Sequence, residues 1–353
     1  MARVIIGMSG GVDSAVAALL LKEQGYDVIG VTLRTWQSDD GSESRCCEID
    51  DARATADVIG IPYHVFNCLS EFDEKVIKPF IDDYIHGITP NPCVVCNREI
   101  KWERLLYHAN VLQADFIATG HYASVVKLDN GRYTVKQASH IEKDQTYMLY
   151  RLSQEQLSRT LMPLSDMTKE EVRKIAKKAG IPVAGKPDSQ EICFAEDDDY
   201  AGFIEQQTDG KVPPEGNFVD ESGNVLGRHK GIIHYTVGQR KGLGIALGHP
   251  VFVKEIKADT NEVVLVDEEN LYATRVTCRS LNFMGLERIN AGEKLTCNVK
   301  LRYRHKAQHA TVRPLGEDRV EITFDSPVKA PTPGQTAVFY DDDGCVLAGG
   351  IIE

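Results

Sequence analysis

The sequence predicts an α/β protein: a doubly wound parallel sheet at the amino end, a small β-rich central domain, and a C-terminal β-barrel. Three observations carry this expectation. Up to about residue 120, short β-rich runs alternate with helix-length segments. The first run, Val4 to Gly7, breaks at a glycine turn straight into an alanine- and leucine-rich stretch. Beyond about residue 205 the texture changes to β-runs punctuated by Gly and Pro at roughly ten-residue spacing. The expected division is 1–204, 205–272 and 273–353; at 353 residues the chain is long for one core.

In order, the expected elements are a strand from Val4 to Met8, a helix to Gln24 stopped by Gly25, and a strand from Asp27 to Leu33. A helix around Asp51 to Ile59 ends at Gly60-Ile61-Pro62, before a strand from Tyr63 to Asn67. Helices over Phe72–His86 and Arg98–Leu112 precede a strand at Phe116–Thr119. Thr89-Pro90-Asn91-Pro92 enforces an extended course, so the helix is expected to start only after it. A β excursion over 124–137 turns at Asp129-Asn130-Gly131, and helices follow at 153–160 and 168–178, the second opened by the capping box Thr168-Lys169-Glu170-Glu171. The later β-runs are 225–231, 251–256, 263–266, 276–281, 294–303, 308–314, 320–324 and 337–340. In a doubly wound sheet ligands sit beyond the carboxyl ends of the strands, here Met8, Leu33, Asn67 and Gly120.

Composition is that of an ordinary globular chain, 42% hydrophobic and 26% charged. No secretory signal precedes the first strand and no uncharged run approaches a membrane span, so the expectation is a cytoplasmic protein without a membrane partner. Nine cysteines, an odd number, argue against a disulfide framework and for a few reactive or metal-binding thiols. The net charge of −12 means that any RNA-binding charge must be concentrated locally.

The turn Met8-Ser9-Gly10-Gly11-Val12-Asp13-Ser14 has the chemistry of a phosphate cradle. Gly10 and Gly11 let an anion press against the backbone, and a helix capped by Asp13 or Ser14 would aim its unpaired N–H groups and positive dipole end at the same place. A Walker-type loop would carry a lysine after its last glycine, yet none occurs before Lys22. The Ser-Gly-Gly-x-Asp-Ser order instead resembles the PP-loop of the N-type ATP pyrophosphatases, which cut ATP between α and β phosphates. That resemblance implies that Ser9, Gly10, Gly11 and Ser14 hold the pyrophosphate portion, with Asp13 near it and its Mg²⁺.

Cys93 and Cys96 stand in Cys-x-x-Cys spacing at the mouth of a helix, where a thiol is biased toward thiolate. Alone, the pair fits thioredoxin-like redox chemistry, half a zinc site or accident. Cys193 lies in Asp188-Ser189-Gln190-Glu191-Ile192-Cys193-Phe194, a polar run that would be odd as core. Cys68, Cys278, Cys297 and Cys345 sit in apolar or strand-like runs and read as core, while Cys46 and Cys47 lie in a polar loop.

Several further stretches raise the resemblance to a family. Thr-Pro-Asn-Pro-x-x-x-Cys-Asn around Cys96, Asp-Ser-Gln-Glu-Ile-Cys-Phe around Cys193, Ala-Thr-Gly-His-Tyr at 118–122 and Lys-Asp-Gln-Thr-Tyr at 143–147 are similar to the tRNA-specific 2-thiouridylases. His-Tyr-Thr-Val-Gly-Gln-Arg-Lys-Gly-Leu at 234–243 and Thr-Pro-Gly-Gln at 332–335 fit the same family. The resemblance implies that ATP adenylates the carbon-2 oxygen of the wobble uridine in a tRNA anticodon stem-loop, and that sulfur then attacks that carbon. It makes Cys96 the nucleophilic cysteine and Cys193 the persulfide carrier, the two able to form a transient disulfide. It implies ATP contacts at Gly7, Met8, Ser9, Gly10, Gly11, Val12, Asp13, Ser14, Leu33 and Gly120, and a target-base lining of Asn91, Pro92 and Cys93. It implies tRNA contacts at His121, Lys143, Asp144, Gln145, Arg302, Tyr303 and Gln335, and an upstream sulfur donor such as a cysteine desulfurase or sulfur relay protein. At Cys93 the chain departs from a common family pattern, in which an aspartate serves as general base. Thiolates at 93, 96 and 193 would suit a 4Fe-4S cluster with one open iron, and cysteine spacing leaves cluster and persulfide relay both open.

The residues also suggest how RNA is held. Lys300, Arg302, Arg304 and Lys306 alternate with Leu301, Tyr303 and His305, so on a strand all four cations would leave one face as a stripe for a phosphate backbone. Arg228, Lys230, His234, Arg240 and Lys241 form a second basic patch. The rival readings are another adenylating PP-loop enzyme acting on a small molecule, and a non-catalytic RNA-binding or iron-sensing protein.

Overall fold

The computed structural model describes residues 1–37, 48–187, 192–195 and 199–353; Cys46 and Cys47 lie outside the described residues. From the amino end the chain forms β1 (Arg3–Gly7), α1 (Val12–Glu23), β2 (Asp27–Arg34), α2 (Ile49–Ile59), β3 (Tyr63–Asn67), α3 (Leu69–Phe72) and α4 (Lys78–Ile85). α5 (Pro92–Cys96), α6 (Glu103–Val111), β4 (Phe116–Ala118), the hairpin β5 (Ala123–Lys127) and β6 (Tyr133–Gln137), α7 (Gln154–Ser158), β7 (Thr160–Leu161), α8 (Lys169–Lys178) and α9 (Tyr200–Gln207) follow. The five-stranded sheet has the order β3-β2-β1-β4-β7, parallel throughout. Its apolar strands are covered on both faces, as a parallel sheet requires. Ile5, Ile29, Val31 and Leu33 meet Phe72, Phe80 and Trp102 on one side. Val4, Ile6 and Met8 meet the alanines of α1 on the other.

Four strands, β8 (Gly216–Val219), β9 (Val225–His229), β10 (Phe252–Lys257) and β11 (Glu262–Val266), make the central sheet in the order β10-β11-β8-β9. The remaining strands are β12 (Tyr272–Phe283), β13 (Leu295–Lys300), β14 (Gln308–Pro314), β15 (Arg319–Lys329), β16 (Thr336–Tyr340) and β17 (Val346–Ile352). They close into a six-stranded barrel in the order β12-β15-β14-β13-β16-β17. The α/β sheet and the terminal barrel agree with the sequence reading. β17 lies beyond the last β-run expected from the sequence; its Gly349 and Gly350 are there for packing. A Cβ on Gly349 would lie 2.5 Å from the Tyr150 ring, and one on Gly350 2.8 Å from Leu281. Among the described residues no helix is long and apolar enough to cross a membrane.

Three expectations are corrected. Proline does not delay the helix before Asn97: Pro92 opens α5 at the position where its missing N–H costs nothing, and the Asn91 side chain accepts from Val94 N at 3.4 Å. α5 then runs through a π-helical turn, Asn97–Trp102, into α6. α1 is capped by neither Asp13 nor Ser14; its N-cap is Gly11, without a side-chain cap. The strand expected over 294–303 ends at Lys300, and turns and bends follow to His305. The period-two argument therefore fails, and the four cations do not form a stripe on one strand face.

Candidate active site at the carboxyl end of the parallel sheet

The glycine turn between β1 and α1 divides its tasks. Gly10 is left-handed at φ 79°, and the room a Cβ would need is taken by Glu48, whose carbonyl oxygen would be 2.6 Å away. Gly11 is extended at φ −96°, so of the two glycines only Gly10 uses the left-handed region. Ser14 Oγ donates to Gly11 O at 3.1 Å and accepts from Ser9 N at 3.2 Å, which folds the turn on itself. Because no side chain caps α1, its first N–H groups are left for an anion.

Met8 and Leu33 are buried, with 2% and 8% exposure, so any contact of theirs with a nucleotide falls to backbone. Gly7, where β1 ends, and Val12, which starts α1, flank the turn. Gly120 follows β4 and lies directly against the first turn of α1: a Cβ there would be 2.6 Å from Ser14 N and 2.7 Å from Asp13 C. The ATP residues named from the sequence thus gather at one place.

Two partners of Asp13 were not singled out in the sequence. Lys169 Nζ donates to both carboxylate oxygens at 2.8 and 2.7 Å, and Tyr122 OH donates to Oδ1 at 2.7 Å. Lys169 opens α8, whose capping box is formed as expected: Glu171 N donates to Thr168 Oγ1 at 3.1 Å and Thr168 N to Glu171 Oε2 at 2.8 Å. A second lysine, Lys186, bridges Glu48 and Asp51 at 2.5 Å each. Sequence signals for these are weak, since a lysine in a capping box reads only as a helix start. Mg²⁺ is commonly held by one or two carboxylates plus substrate phosphates, and Asp13 beside an uncapped helix fits that donor set.

The thiols lie at the same end of the sheet. Cys96 closes α5, is buried, and belongs to the apolar cluster that includes Leu33, Trp102 and Phe194. Cys193 is half-buried and packs against that cluster. Its neighbour Phe194 is held among Phe80 and Phe203, each with ring centroids 5.1 Å away, and Phe72 at 5.8 Å. Trp36, just past β2, is 6.4 Å from Phe194, which ties the Cys193 turn to the carboxyl edge. Cys93 is exposed, so the Cys-x-x-Cys pair is split between solvent and core. Among the described residues no three His, Cys, Asp or Glu side chains are grouped to hold a metal ion.

Among the described residues, the other thiols behave as core. Burial pushes the Cys68 thiol up to about 11 and the Cys297 thiol up to about 12, and raises those of Cys278 and Cys345. Among the described cysteines, iodoacetamide at pH 8 is therefore expected to modify Cys93 first in the native protein, and Cys68 and Cys297 only after denaturation. Peptide mapping by mass spectrometry reads the order.

The residues expected to meet RNA divide into outward and inward groups. Asp144 is 2% exposed; its carboxylate accepts from Thr146 Oγ1 at 2.8 Å and Ala138 N at 3.3 Å, and burial raises its pKa. Gln145 Oε1 accepts from Tyr122 N at 2.9 Å. Arg302 donates inward to Val237 O at 3.1 Å, to Ala330 O at 2.7 Å and to Thr332 Oγ1, instead of outward as the stripe required. Gln335 Nε2 donates to Thr89 O at 2.9 Å and Pro90 O at 3.1 Å, bracing the loop ahead of Asn91 from the barrel. Lys143 and Tyr303 are half-buried, and Lys300 lies over the Tyr303 ring at 5.5 Å. Arg304 and Lys306 are exposed and line a cavity of about 300 Å³ with His305 and Lys329. In the central patch, His234 faces Glu205 at 3.3 Å and Arg228 faces Glu215 at 3.7 Å.

His121 contacts Thr119 Oγ1 through Nδ1 at 3.0 Å and lies 5.3 Å from the Trp102 ring. Burial, helped by the charge of Lys101, pushes its pKa from 6.5 down to about 3. It is neutral at physiological pH and brings no charge to RNA. The unfolded chain takes up this proton first, so the contribution is flat above about pH 7. Stability is lost as pH falls from about 6.5 toward about 3, by at most about 1.4 kcal/mol per unit. His121→Gln is expected to flatten that part of the curve, read as urea midpoint against pH.

Comparison with known families extends these observations over the whole chain. Residues 2–197 match the tRNA methyl transferase HUP domain, 202–267 the tRNA methyl transferase PRC-barrel domain and 273–352 the aminomethyltransferase beta-barrel domain. The chain is 52% identical over 360 residues to the tRNA-specific 2-thiouridylase MnmA of Lachnoclostridium phytofermentans, with 100% of both chains covered. It is 50% identical to that of Acetivibrio thermocellus, covering 99% of each chain. It is 49% identical to that of Clostridioides difficile, covering 99% of this chain and 98% of the relative. With matches spanning all three structural units and identities near one half, the chain belongs to the tRNA-specific 2-thiouridylase family.

Proposed function

We propose that this chain is a tRNA-uridine 2-sulfurtransferase that thiolates the wobble uridine at the expense of ATP, with Cys96 and Cys193 as its sulfur-handling pair. The observation that carries the reading is the convergence at one sheet edge. An uncapped helix with a glycine turn suits a polyphosphate, and Cys96 and the Phe194-anchored Cys193 share an apolar cluster there.

In the first step, the uracil O2 attacks the α-phosphorus of ATP. The bridging oxygen leaves with its electron pair as pyrophosphate, and the N3 proton passes to water. The turn residues Ser9 to Ser14 hold the pyrophosphate portion, and Asp13 would hold Mg²⁺, which supplies charge neutralisation at the phosphates when bound. Gly120, just past β4, packs directly against the first turn of α1, where only a residue without a Cβ fits. Asn91, Pro92 and Cys93 line the base, their loop braced by Gln335.

In the second step, the terminal sulfur of a Cys193 persulfide attacks carbon 2, and AMP leaves with the bonding pair. Cys96 thiolate then attacks Cys193 Sγ, breaking the S–S bond to the transferred sulfur. The 2-thiouridine leaves and takes up a proton at N3, and a Cys96–Cys193 disulfide remains. An external thiol reductant restores the pair, and an upstream donor such as a cysteine desulfurase or relay protein reloads the persulfide.

His121, Lys143, Asp144, Gln145, Arg302, Tyr303 and Gln335 serve tRNA binding in two ways. Asp144, Arg302 and Gln335 hold the binding surface in shape, and the more exposed neighbours meet the RNA. The compartment assigned by this reading is the cytoplasm, where tRNA and ATP are at hand. Incubation of the protein with ATP, unmodified tRNA, a cysteine desulfurase with free cysteine as persulfide donor, and a thiol reductant is expected to give 2-thiouridine by nucleoside mass spectrometry, with AMP and pyrophosphate. Absence of the thionucleoside overturns the assignment.

A further inference from the structure

The phosphate turn has no cation of its own between Met8 and Leu21. One reaches it from 156 positions further along the chain: Lys169, whose ammonium grips both oxygens of Asp13 while its side chain is only 14% exposed. Its place is well determined. The formed capping box fixes the start of α8, and Val172 and Ala176 pack the same helix into the cluster with Ala15 and Ala18 of α1.

Asp13 needs no such partner for the sake of the helix. A carboxylate in the first turn is already favoured by the helix dipole, and Tyr122 OH also donates to it. Ordering and largely burying a lysine there is costly for a side chain with so much rotamer freedom. What does need a lysine is the polyanion that the uncapped N–H groups would receive. A triphosphate beside a bare Asp13 carboxylate would be repelled, whereas an ammonium serves phosphate as a point charge and a carboxylate serves a divalent cation as an oxygen ligand.

We propose that Lys169 exchanges partners: it neutralises Asp13 in the nucleotide-free protein and moves to an oxygen of the pyrophosphate portion when ATP binds, leaving the Asp13 carboxylate to Mg²⁺. Lys169 is thus the cation that the turn lacks in its own sequence, and it stabilises the charge that gathers on pyrophosphate as the α–β bond breaks. This assignment rests on the ATP-dependent reading above and names a residue for its leaving group.

Binding of inorganic pyrophosphate in EDTA, followed by calorimetry, tests it without turnover. Four proteins are compared: wild type, Asp13→Asn, Lys169→Gln and the double variant, with AMP as the control ligand and circular dichroism as the check on folding. Asp13→Asn is expected to bind pyrophosphate tighter than wild type, because Lys169 is released from the carboxylate. Adding Lys169→Gln to it is expected to weaken binding by at least about tenfold, the scale of a charge-assisted hydrogen bond. AMP affinity should be the same in all four. Equal pyrophosphate affinities for Asp13→Asn and the double variant would mean that Lys169 only neutralises Asp13, and would overturn the proposal. Should Lys169→Gln fail to fold, Asp13→Asn with Lys169→Arg replaces the double variant, and loss of the gain despite a retained charge overturns it equally. Wild-type binding of Mg·ATP, measured alongside, separates the two levels: if it is absent the nucleotide reading itself fails, and if present only the role of Lys169 is at stake.

Discussion

Cys96→Ser is expected to lower 2-thiouridine formation by at least about 10³-fold while leaving tRNA-dependent pyrophosphate release in a single turnover within a few-fold of wild type. The hydroxyl is close in size to the thiol, so the apolar cluster around Cys96 should survive, and circular dichroism should be unchanged. What is lost is the thiolate that attacks Cys193 Sγ. The persulfide can still form on Cys193 and attack the activated carbon, so a covalent tRNA adduct at Cys193 should accumulate. Pyrophosphate release and gel-shifted tRNA, measured on one sample, read both halves of the prediction. Normal thiouridine yield from Cys96→Ser would remove this residue from the reaction, and simultaneous loss of pyrophosphate release would place it in adenylation instead.

Gly120→Ala should strike the other half-reaction. Its Cβ would sit 2.6 Å from Ser14 N, 2.7 Å from Asp13 C and 2.9 Å from Ser14 Cα, all of them backbone atoms that cannot swing aside. Either β4 or the first turn of α1 must move. Overpacking of this kind costs about 1–3 kcal/mol and occasionally more. The displaced atoms belong to the very turn that receives phosphate, so ATP affinity is expected to fall by at least about tenfold, beyond what a general loss of stability produces. Calorimetric titration with ATP at a temperature where the variant remains folded checks this. ATP binding equal to wild type would show that the contact between Gly120 and α1 does not shape the nucleotide site.

The parallel sheet and the glycine turn were legible because their signals are local. Val4 to Gly7 is apolar on both sheet faces, and the turn is a short run of consecutive residues. The barrel was legible as a class from repeated β-runs, but β17 was not, because its glycines answer to Tyr150 and Leu281, distant in sequence. The same reason hid the charge environment of the site. Lys169 meets Asp13 across 156 positions, and no periodicity connects them. The cationic stripe failed for a complementary reason: alternation is informative only while the chain remains a strand, and β13 ends at Lys300. Arg302 is spent on carbonyl oxygens of Val237 and Ala330, which nothing in its neighbours announces. Cys93 and Cys96 lie within the helix instead of at its mouth, and on opposite sides of the boundary between core and solvent, because Pro92 starts the helix early.

One side chain reaches from the barrel to the loop ahead of Cys96, and it constrains how this molecule can be taken apart. Gln335 satisfies Thr89 O and Pro90 O, Thr89 N returns a bond to Pro333 O, and Gly334 at φ 88° abuts Ile88 so closely that a Cβ would lie 2.3 Å from it. Segments 88–90 and 333–335 therefore form a single inheritable unit. A chimera that imports its barrel from a relative should import the matching segment 88–90 as well, and an isolated amino-terminal fragment would keep its nucleotide turn while losing the scaffold of its base pocket.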